Sequence, residues 1–304
     1  MLMKILGTGL TGLVGSRIVE LLKDQYEFDP SMVDITDRNA IIEKIKSSDA
    51  PIVLHLAAKT DVDGCEKDKE KDIKILRYKD IKEQEEMFSR DKTAWAVNVY
   101  GTKNIVDGCR ESSKKVIYIS TDFVFDGSKD FYNEEDVPNP VNWYAKTKYE
   151  GEKIVQNSSI PWIIVRISYP YRSSFERPDF VRAILKRLQN NEKVLGVIDH
   201  KFSPTFIDDI AFGIHKLIEK KALGIFHVIG STCLTPYDAA IAIATKFGLN
   251  KDLIGKTTRE EFFTNRAKRP FHLVIKNDKI ERLGVKMKGF EDGLEEVKRQ
   301  LANF

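Results

Sequence analysis

Nine residues near the start of the chain, Gly7-Thr8-Gly9-Leu10-Thr11-Gly12-Leu13-Val14-Gly15, constrain the fold more than any other segment. They join a short apolar strand, Met3–Gly7, to a stretch with helical spacing through Val14, Ile18, Leu21 and Leu22. Glycine at these points permits a tight turn, lets backbone N–H groups approach a pyrophosphate, and allows the helix to lie close on a sheet. The helix N-terminus adds partial positive charge. A glycine-rich turn alone is weak evidence; its place at a first strand-to-helix junction makes it a dinucleotide fingerprint.

The rest of the first half keeps the alternation that builds parallel sheets. Tyr26–Phe28 reads as a brief strand, and Asp37 as the N-cap of a helix from Arg38 to about Lys46. Ile52–Leu56, Val116–Ser120 and Trp162–Ile167 are apolar strands of the kind covered on both faces. Ala94–Cys109 and Tyr144–Val155 read as helices. Beyond Ile167 the rhythm loosens, with helices expected at Phe180–Leu188, within Pro204–Leu217, at Thr235–Phe247 and at Phe290–Leu301, and a strand at Gly224–Ile229. The expected fold is α/β, a Rossmann-type doubly wound parallel sheet. Residues 1–165 would form the dinucleotide-binding domain, and 166–304 mainly a smaller α/β substrate-binding lobe that can return elements to the first. Within residues 67–92, 17 of 26 side chains are charged, nine basic and eight acidic. That segment reads as a solvated helical or hairpin excursion laced with ion pairs, or as a lid or partner-binding arm.

Composition excludes several classes. The 304 residues carry 49 Lys+Arg against 46 Asp+Glu with the signs interleaved, unlike the clustered basic face of a nucleic-acid binder. No apolar run approaches the roughly 18 residues that span a membrane. The glycines at 7, 9, 12 and 15 break the N-terminal apolar stretch as a signal helix. Cys65, Cys109 and Cys233 form no CxxC pair, so no disulfide framework or metal site is expected, and a cytoplasmic setting is the simplest. His55, on a buried strand, reads as a hydrogen-bonded core residue rather than a ligand.

Tyr144 and Lys148 stand four apart, which on a helix places them on one face. A phenol with its reference pKa of about 10 is a poor acid–base at neutral pH, and a neighbouring ammonium lowers that value. Ser120 and Thr121 end a strand where α/β active sites gather, with hydroxyls able to bond a substrate carbonyl. Asp29 lies 20 residues after Gly9 with no Arg directly behind it, which favours a ribose 2′-OH and NAD over NADP; the alternative is that Asp29-Pro30 merely makes a turn. Asp34-Ile35 is a second candidate for the adenosine end, and Ala57-Ala58 closes the third strand with small residues.

Together Thr8-Gly9-x-x-Gly12-x-x-Gly15, Asn98, Ser120-Thr121-Asp122 and Tyr144-x-x-x-Lys148 resemble an extended short-chain dehydrogenase/reductase. The run Ser120–Gly127, followed by Glu134-Glu135-Asp136, Pro138, Pro140 and Asn142, resembles more narrowly the dTDP-4-dehydrorhamnose reductase family. So do Asp34-Ile35-Thr36-Asp37, Arg166-x-Ser168-Tyr169, Ser203-Pro204-Thr205 and Arg269-Pro270. The resemblance implies reduction of a nucleotide-linked 4-keto-6-deoxysugar by NADPH or NADH. Tyr144 would be the proton donor, Lys148 the residue that holds the nicotinamide ribose and tunes Tyr144, and Thr121 the group that polarises the keto oxygen. It also implies that Gly9, Thr11, Gly12, Leu13, Val14, Asp29, Asp34, Ile35, Ala57, Ala58, Lys59 and Asn98 line the cofactor. Asp122 and Tyr169 would meet the sugar, Tyr169 standing for the family's usual Trp, and Arg269 the diphosphate. A homodimer through the Ala94–Cys109 and Tyr144–Val155 helices is expected. The same family includes the β subunit of methionine adenosyltransferase, so a non-catalytic regulatory subunit is the alternative; an epimerase or reductase of another nucleotide sugar is a third. The excursion at 67–92, Lys59 and Val274-Ile275-Lys276-Asn277 depart from the family pattern.

Overall fold

In the computed structural model, which describes residues 1–302, the strand–helix alternation closes into a six-stranded sheet in which every pairing is parallel. The first half runs β1 (Met3–Thr8), α1 (Leu13–Leu22), β2 (Tyr26–Ser31), α2 (Arg38–Ser47), β3 (Ile52–His55), α3 (Val62–Leu76), α4 (Ile81–Asp91), α5 (Thr102–Glu111), β4 (Lys115–Thr121), α6 (Trp143–Gln156) and β5 (Trp162–Ile167). The second half runs β6 (Pro170–Tyr171), α7 (Phe180–Gln189), β7 (Val194–Val197), β8 (Thr205–Phe206), α8 (Ile207–Glu219), β9 (Gly224–His227), α9 (Pro236–Phe247), β10 (Ile254–Thr257), α10 (Arg259–Phe262), α11 (Asp278–Glu281) and α12 (Phe290–Ala302). The sheet order is β2-β1-β3-β4-β5-β9. The chain turns outward from β1 to β2 and then crosses back to β3, so a crevice opens at the carboxyl ends of β1 and β3.

Period-two alternation along the strands sorts side chains into two layers. Ile117, Ile119, Ile163 and Val165 pack with Ile18 and Leu22 of α1 and with Ile207–Ile218 of α8. Val116, Tyr118 and Ile164 pack on the other face with Ile41 and Ile45 of α2, Ile105 and Val106 of α5, and Val155 of α6. Residue 166 falls inside β5, and α8 and β9, from beyond it, complete the sheet and one of its helix layers. An aromatic cluster of Tyr171, Phe180, Phe202, Phe206 and Phe290 joins β6, α7, β8 and α12 beyond the sheet.

Three departures from the sequence reading have local causes. β2 continues through Pro30 to Ser31 because it is an edge strand, where a missing N–H costs no ladder bond. The helix expected at Ala94–Cys109 forms, but Ala96–Gly101 is wound as π-helix, a geometry that periodicity does not signal. The two-residue strands β6 and β8 and the four-residue β7 and β10 pair only as two small sheets, too short to leave a pattern. The charged excursion is a helix pair. Ile75 and Phe88 pack on Ala96 and Tyr100, Lys71 and Asp91 bridge the two helices at 3.2 Å, and most of the remaining charge faces water. No helix among the described residues is long and apolar enough to cross a membrane.

Candidate active site

At the glycine turn the backbone itself is the binding surface. Gly9 has φ +71°, and a Cβ there would stand 2.7 Å from the Ala57 nitrogen. At Gly15 a Cβ would meet the Gly9 carbonyl oxygen at 2.4 Å, so α1 lies directly on the turn. Gly12 is the N-cap of α1, and no side chain caps that end. Uncapped amides and the dipole of a ten-residue helix therefore face the crevice.

From that turn a cavity of about 550 Å³ runs along the carboxyl ends of the strands. Gly9, Thr11, Gly12, Leu13 and Val14 line one end, Ala57 and Ala58 one wall, and Thr121, Asp122, Tyr144, Lys148 and Tyr169 the other end. A cradle that added side-chain carbon would fill, opening into an elongated cavity, fits a dinucleotide. Asn142 caps α6 by accepting from Ala145 N at 2.8 Å, and this first turn sets the direction of Tyr144. Asn98, on the π turn, donates to the Lys59 carbonyl oxygen at 3.0 Å and to Thr147 Oγ1 at 3.0 Å, and accepts from Lys59 N at 2.8 Å. Asn98 thus ties the loop after β3 to α6.

The electrostatics differ from the simple phenol–ammonium expectation. Burial pushes the Tyr144 phenol well above its ordinary value, and the Thr121 hydroxyl bonded to it offsets part of that rise. Tyr144 is therefore held protonated. Burial lowers Lys148 to about 7. Its Nζ donates to the Ile119 carbonyl oxygen at 2.8 Å and sits 4.0 Å from the Tyr118 ring centroid. The Lys148 amine is thus directed at that carbonyl and ring. Asp122 is fully enclosed and pushed up to about 7 by burial, against the opposing hydrogen bonds from Ser168 and Thr121. Tyr169 adopts φ +37°, unusual for a bulky residue, with its ring held edge-on against Phe202 at 4.6 Å.

Six expected site residues do not line the cavity. Asp29, expected to grip a ribose, sits mid-strand opposite Leu6 and pairs with Lys44 at 2.9 Å, turned towards α2. Asp34 accepts from Thr36 N at 2.9 Å and pairs with Lys92 at 2.7 Å. Ile35 is buried against Gly101, with its carbonyl bonded to Asn104. Lys59 pairs with Asp68 at 2.6 Å. Asn98 is a brace behind the wall rather than part of it. Arg269, expected at the diphosphate, pairs with Asp63 at 3.0 Å and donates to the Ala267 carbonyl at 2.6 Å, so its fork is already occupied.

On the cavity or behind its wall stand residues that sequence reasoning did not single out. Ser168 donates to Asp122 Oδ2 at 2.6 Å. Arg177, exposed at the mouth, has no ion-pair partner among the described residues. Its loop is clipped by Arg182, which donates to the carbonyls of Phe175 at 2.5 Å and Arg177 at 2.6 Å. Ser168 lay within a quoted motif, whereas nothing in the pattern marked Arg177. His55 is the satisfied core residue expected, bonded to Thr8 at 2.7 Å and Thr102 at 3.1 Å.

Comparison with known proteins agrees with this geometry. The family model described as the RmlD substrate binding domain matches residues 3–78 and 77–303, the two stretches meeting inside the charged excursion. A dTDP-4-dehydrorhamnose reductase of Aggregatibacter actinomycetemcomitans is 30% identical over 97% of this chain and 98% of its own. The crystal structure of dTDP-4-dehydrorhamnose reductase from Bacillus anthracis in complex with NADP superposes with a TM-score of 0.86 at 26% identity, covering 99% of this chain and 100% of that one. The methionine adenosyltransferase 2 subunit beta of Bos taurus is 28% identical over 93% of this chain and 83% of its own.

Proposed function

This chain belongs to the RmlD substrate binding domain family of extended short-chain dehydrogenase/reductases, and from that premise we propose that it is an NAD(P)-dependent reductase of a nucleotide-linked 4-keto-6-deoxysugar, dTDP-4-dehydrorhamnose being the foremost candidate. The observation that carries the proposal is the meeting of Thr121, Tyr144 and Lys148 on the cavity that starts at the glycine turn. In this reading residues 1–165 hold the dinucleotide through Gly9, Thr11, Gly12, Leu13, Val14, Ala57 and Ala58. Residues 166–304 mainly hold the sugar nucleotide.

When bound, the reduced nicotinamide supplies hydride to the carbonyl carbon. Tyr144, kept protonated by its burial, gives its phenolic proton to the keto oxygen as negative charge develops there. Thr121 donates a hydrogen bond to the same oxygen from a fixed position at the strand end. Lys148 offers its ammonium to the ribose side of the cavity. Tyr169 and Asp122 wall the sugar. Arg177 supplies the mouth of the cavity with the free cation that a diphosphate needs, in place of Arg269.

The test is oxidation of NADPH and of NADH, each offered with dTDP-4-dehydrorhamnose. Turnover with either cofactor is expected, and none with both overturns the proposal. Tyr144→Phe should lose at least about 10²-fold in turnover. A second reading, a regulatory subunit, draws on the likeness to methionine adenosyltransferase 2 subunit beta. It expects no turnover, and instead an altered rate when the chain is added to a methionine adenosyltransferase. A panel of other nucleotide-linked keto sugars tests the remaining epimerase or reductase reading.

A further inference from the structure

Thr121 has one hydroxyl proton and two acceptor positions on its oxygen. Phe123 N donates to that oxygen at 3.2 Å and fills one acceptor position. The next residue, Asp122, is 1% exposed on the cavity floor, with Oδ1 at 3.2 Å from Thr121 Oγ1 and Oδ2 receiving the Ser168 hydroxyl at 2.6 Å. The direction of the Thr121–Asp122 bond therefore depends on which of the two carries the shared proton. If Asp122 is ionised, the Thr121 proton points at the carboxylate and away from any ligand. If Asp122 is neutral, its own proton fills the second acceptor position on Thr121. The Thr121 proton then has only the cavity side left, where the Tyr144 hydroxyl lies and the substrate oxygen would come between them.

We propose that Asp122 is a positioning residue for the carbonyl: as the neutral acid it donates to Thr121 Oγ1 and turns the single Thr121 proton towards the substrate oxygen. The proposal rests on the reduction proposed above. Three observations support it. Asp122 forms no ion pair among the described residues, and its burial favours the neutral form up to about pH 7. The groups facing it are Tyr144 from α6, Tyr169 after β5 and Cys233 after β9, all half-buried and all with pKa raised by desolvation. The cations around it are engaged elsewhere: Arg266 and Arg269, which act on Tyr169, are bound to Asp63, and Lys148 on the same cavity is bonded to the Ile119 carbonyl.

The experiment pairs the pH dependence of kcat/KM with infrared difference spectra of the cofactor-free protein, for wild type, Asp122→Asn and Ser168→Ala. In wild type, kcat/KM should fall as Asp122 ionises, by about thirtyfold at about pH 8.5 relative to the acid plateau. The asparagine amide still donates to Thr121 but cannot ionise, so whatever its plateau, Asp122→Asn should lose that descending limb. Ser168→Ala removes a bond that favours the carboxylate and should move the limb to higher pH. A protonated-carboxyl band should be present in wild type at about pH 6, bleach as the pH rises through about 7, and be missing from Asp122→Asn. A limb unchanged in Asp122→Asn assigns it to another group, such as Lys148, and overturns the proposal; so does the lack of the carboxyl band at about pH 6. Failure of the reductase reading would look different: no turnover by wild type at any pH, with the infrared titration still reporting Asp122.

Discussion

Replacing Asp72 with alanine tests how the charged excursion is connected to the active site. Asp72 lies on α3, is fully buried, and accepts through Oδ2 from Trp143 Nε1 at 2.7 Å and from Trp95 N at 3.1 Å. Trp143 precedes Tyr144 at the start of α6, and Trp95 precedes the π turn that bears Asn98. Two neighbouring carboxylates do the same work: Glu66 accepts from Trp143 N at 2.8 Å and Asp68 from Ala94 N at 2.8 Å. The acids of α3 thus cap the two helices that carry the site. Asp72→Ala leaves two buried N–H donors unpaired, at about 1–3 kcal/mol each. Part of that is offset because burial already disfavours this carboxylate and raises its pKa. A net loss of about 2–4 kcal/mol follows. Urea unfolding measures it, with the solvent-facing Glu83→Ala on α4 as the control, expected within about 0.5 kcal/mol of wild type. Asp72→Asn keeps an acceptor and should recover most of the loss. Because the start of α6 moves with Trp143, kcat should fall with stability in Asp72→Ala, by tenfold or more. An Asp72→Ala protein within about 0.5 kcal/mol of wild type and equally active would refute the reasoning. The segment would then be the detachable arm its composition also allows.

Arg177→Gln should raise KM for the sugar nucleotide at least about tenfold while KM for the dinucleotide stays put, since one charge-assisted contact is removed; a shift confined to the dinucleotide would assign Arg177 to the wrong ligand. Gly15→Ala puts a carbon 2.4 Å from the Gly9 carbonyl oxygen and 2.7 Å from Leu10 Cα, both backbone atoms. It should cost about 1–3 kcal/mol in stability and weaken NADPH binding, read by nicotinamide fluorescence; unchanged binding would mean that α1 need not lie on the turn. The outward positions of α5 and α6, where a homodimer was expected, present Lys103, Arg110, Lys146 and Lys153, and α4 packs on the π turn beside them. Charged side chains are depleted from interface cores, so light scattering at micromolar concentration should read a monomer, and a stable dimer would sink that expectation.

Most of the sheet was legible because its signals are local. Trp162–Ile167 is apolar but for Arg166, Asp37 stands before a helical run, and Thr235-Pro236 opens α9 with a capping box to Asp238. The site was legible in part for the same reason: Tyr144 and Lys148 are one helical turn apart, and Thr121 ends a strand. What was missed has no local signature. The π turn obeys no side-chain period, β6 and β8 are two residues long, and Arg177 lies in a loop whose course is fixed by Arg182 and Asp179.

By itself the sequence determined which chemical groups the chain owns and roughly where each falls along strands and helices: a glycine turn at the first strand end, a phenol and an amine on one helix face, a hydroxyl at a strand end. Tertiary structure decided the partners and the surroundings. It gave Asp29 to Lys44 and Arg269 to Asp63, left Arg177 at the mouth with no ion-pair partner among the described residues, and desolvated Tyr144 enough to stay protonated. The division has one physical cause. Backbone periodicity is set by neighbours a few residues away, whereas desolvation and charge pairing depend on groups as far apart as Asp63 and Arg269, which meet only when the chain is folded.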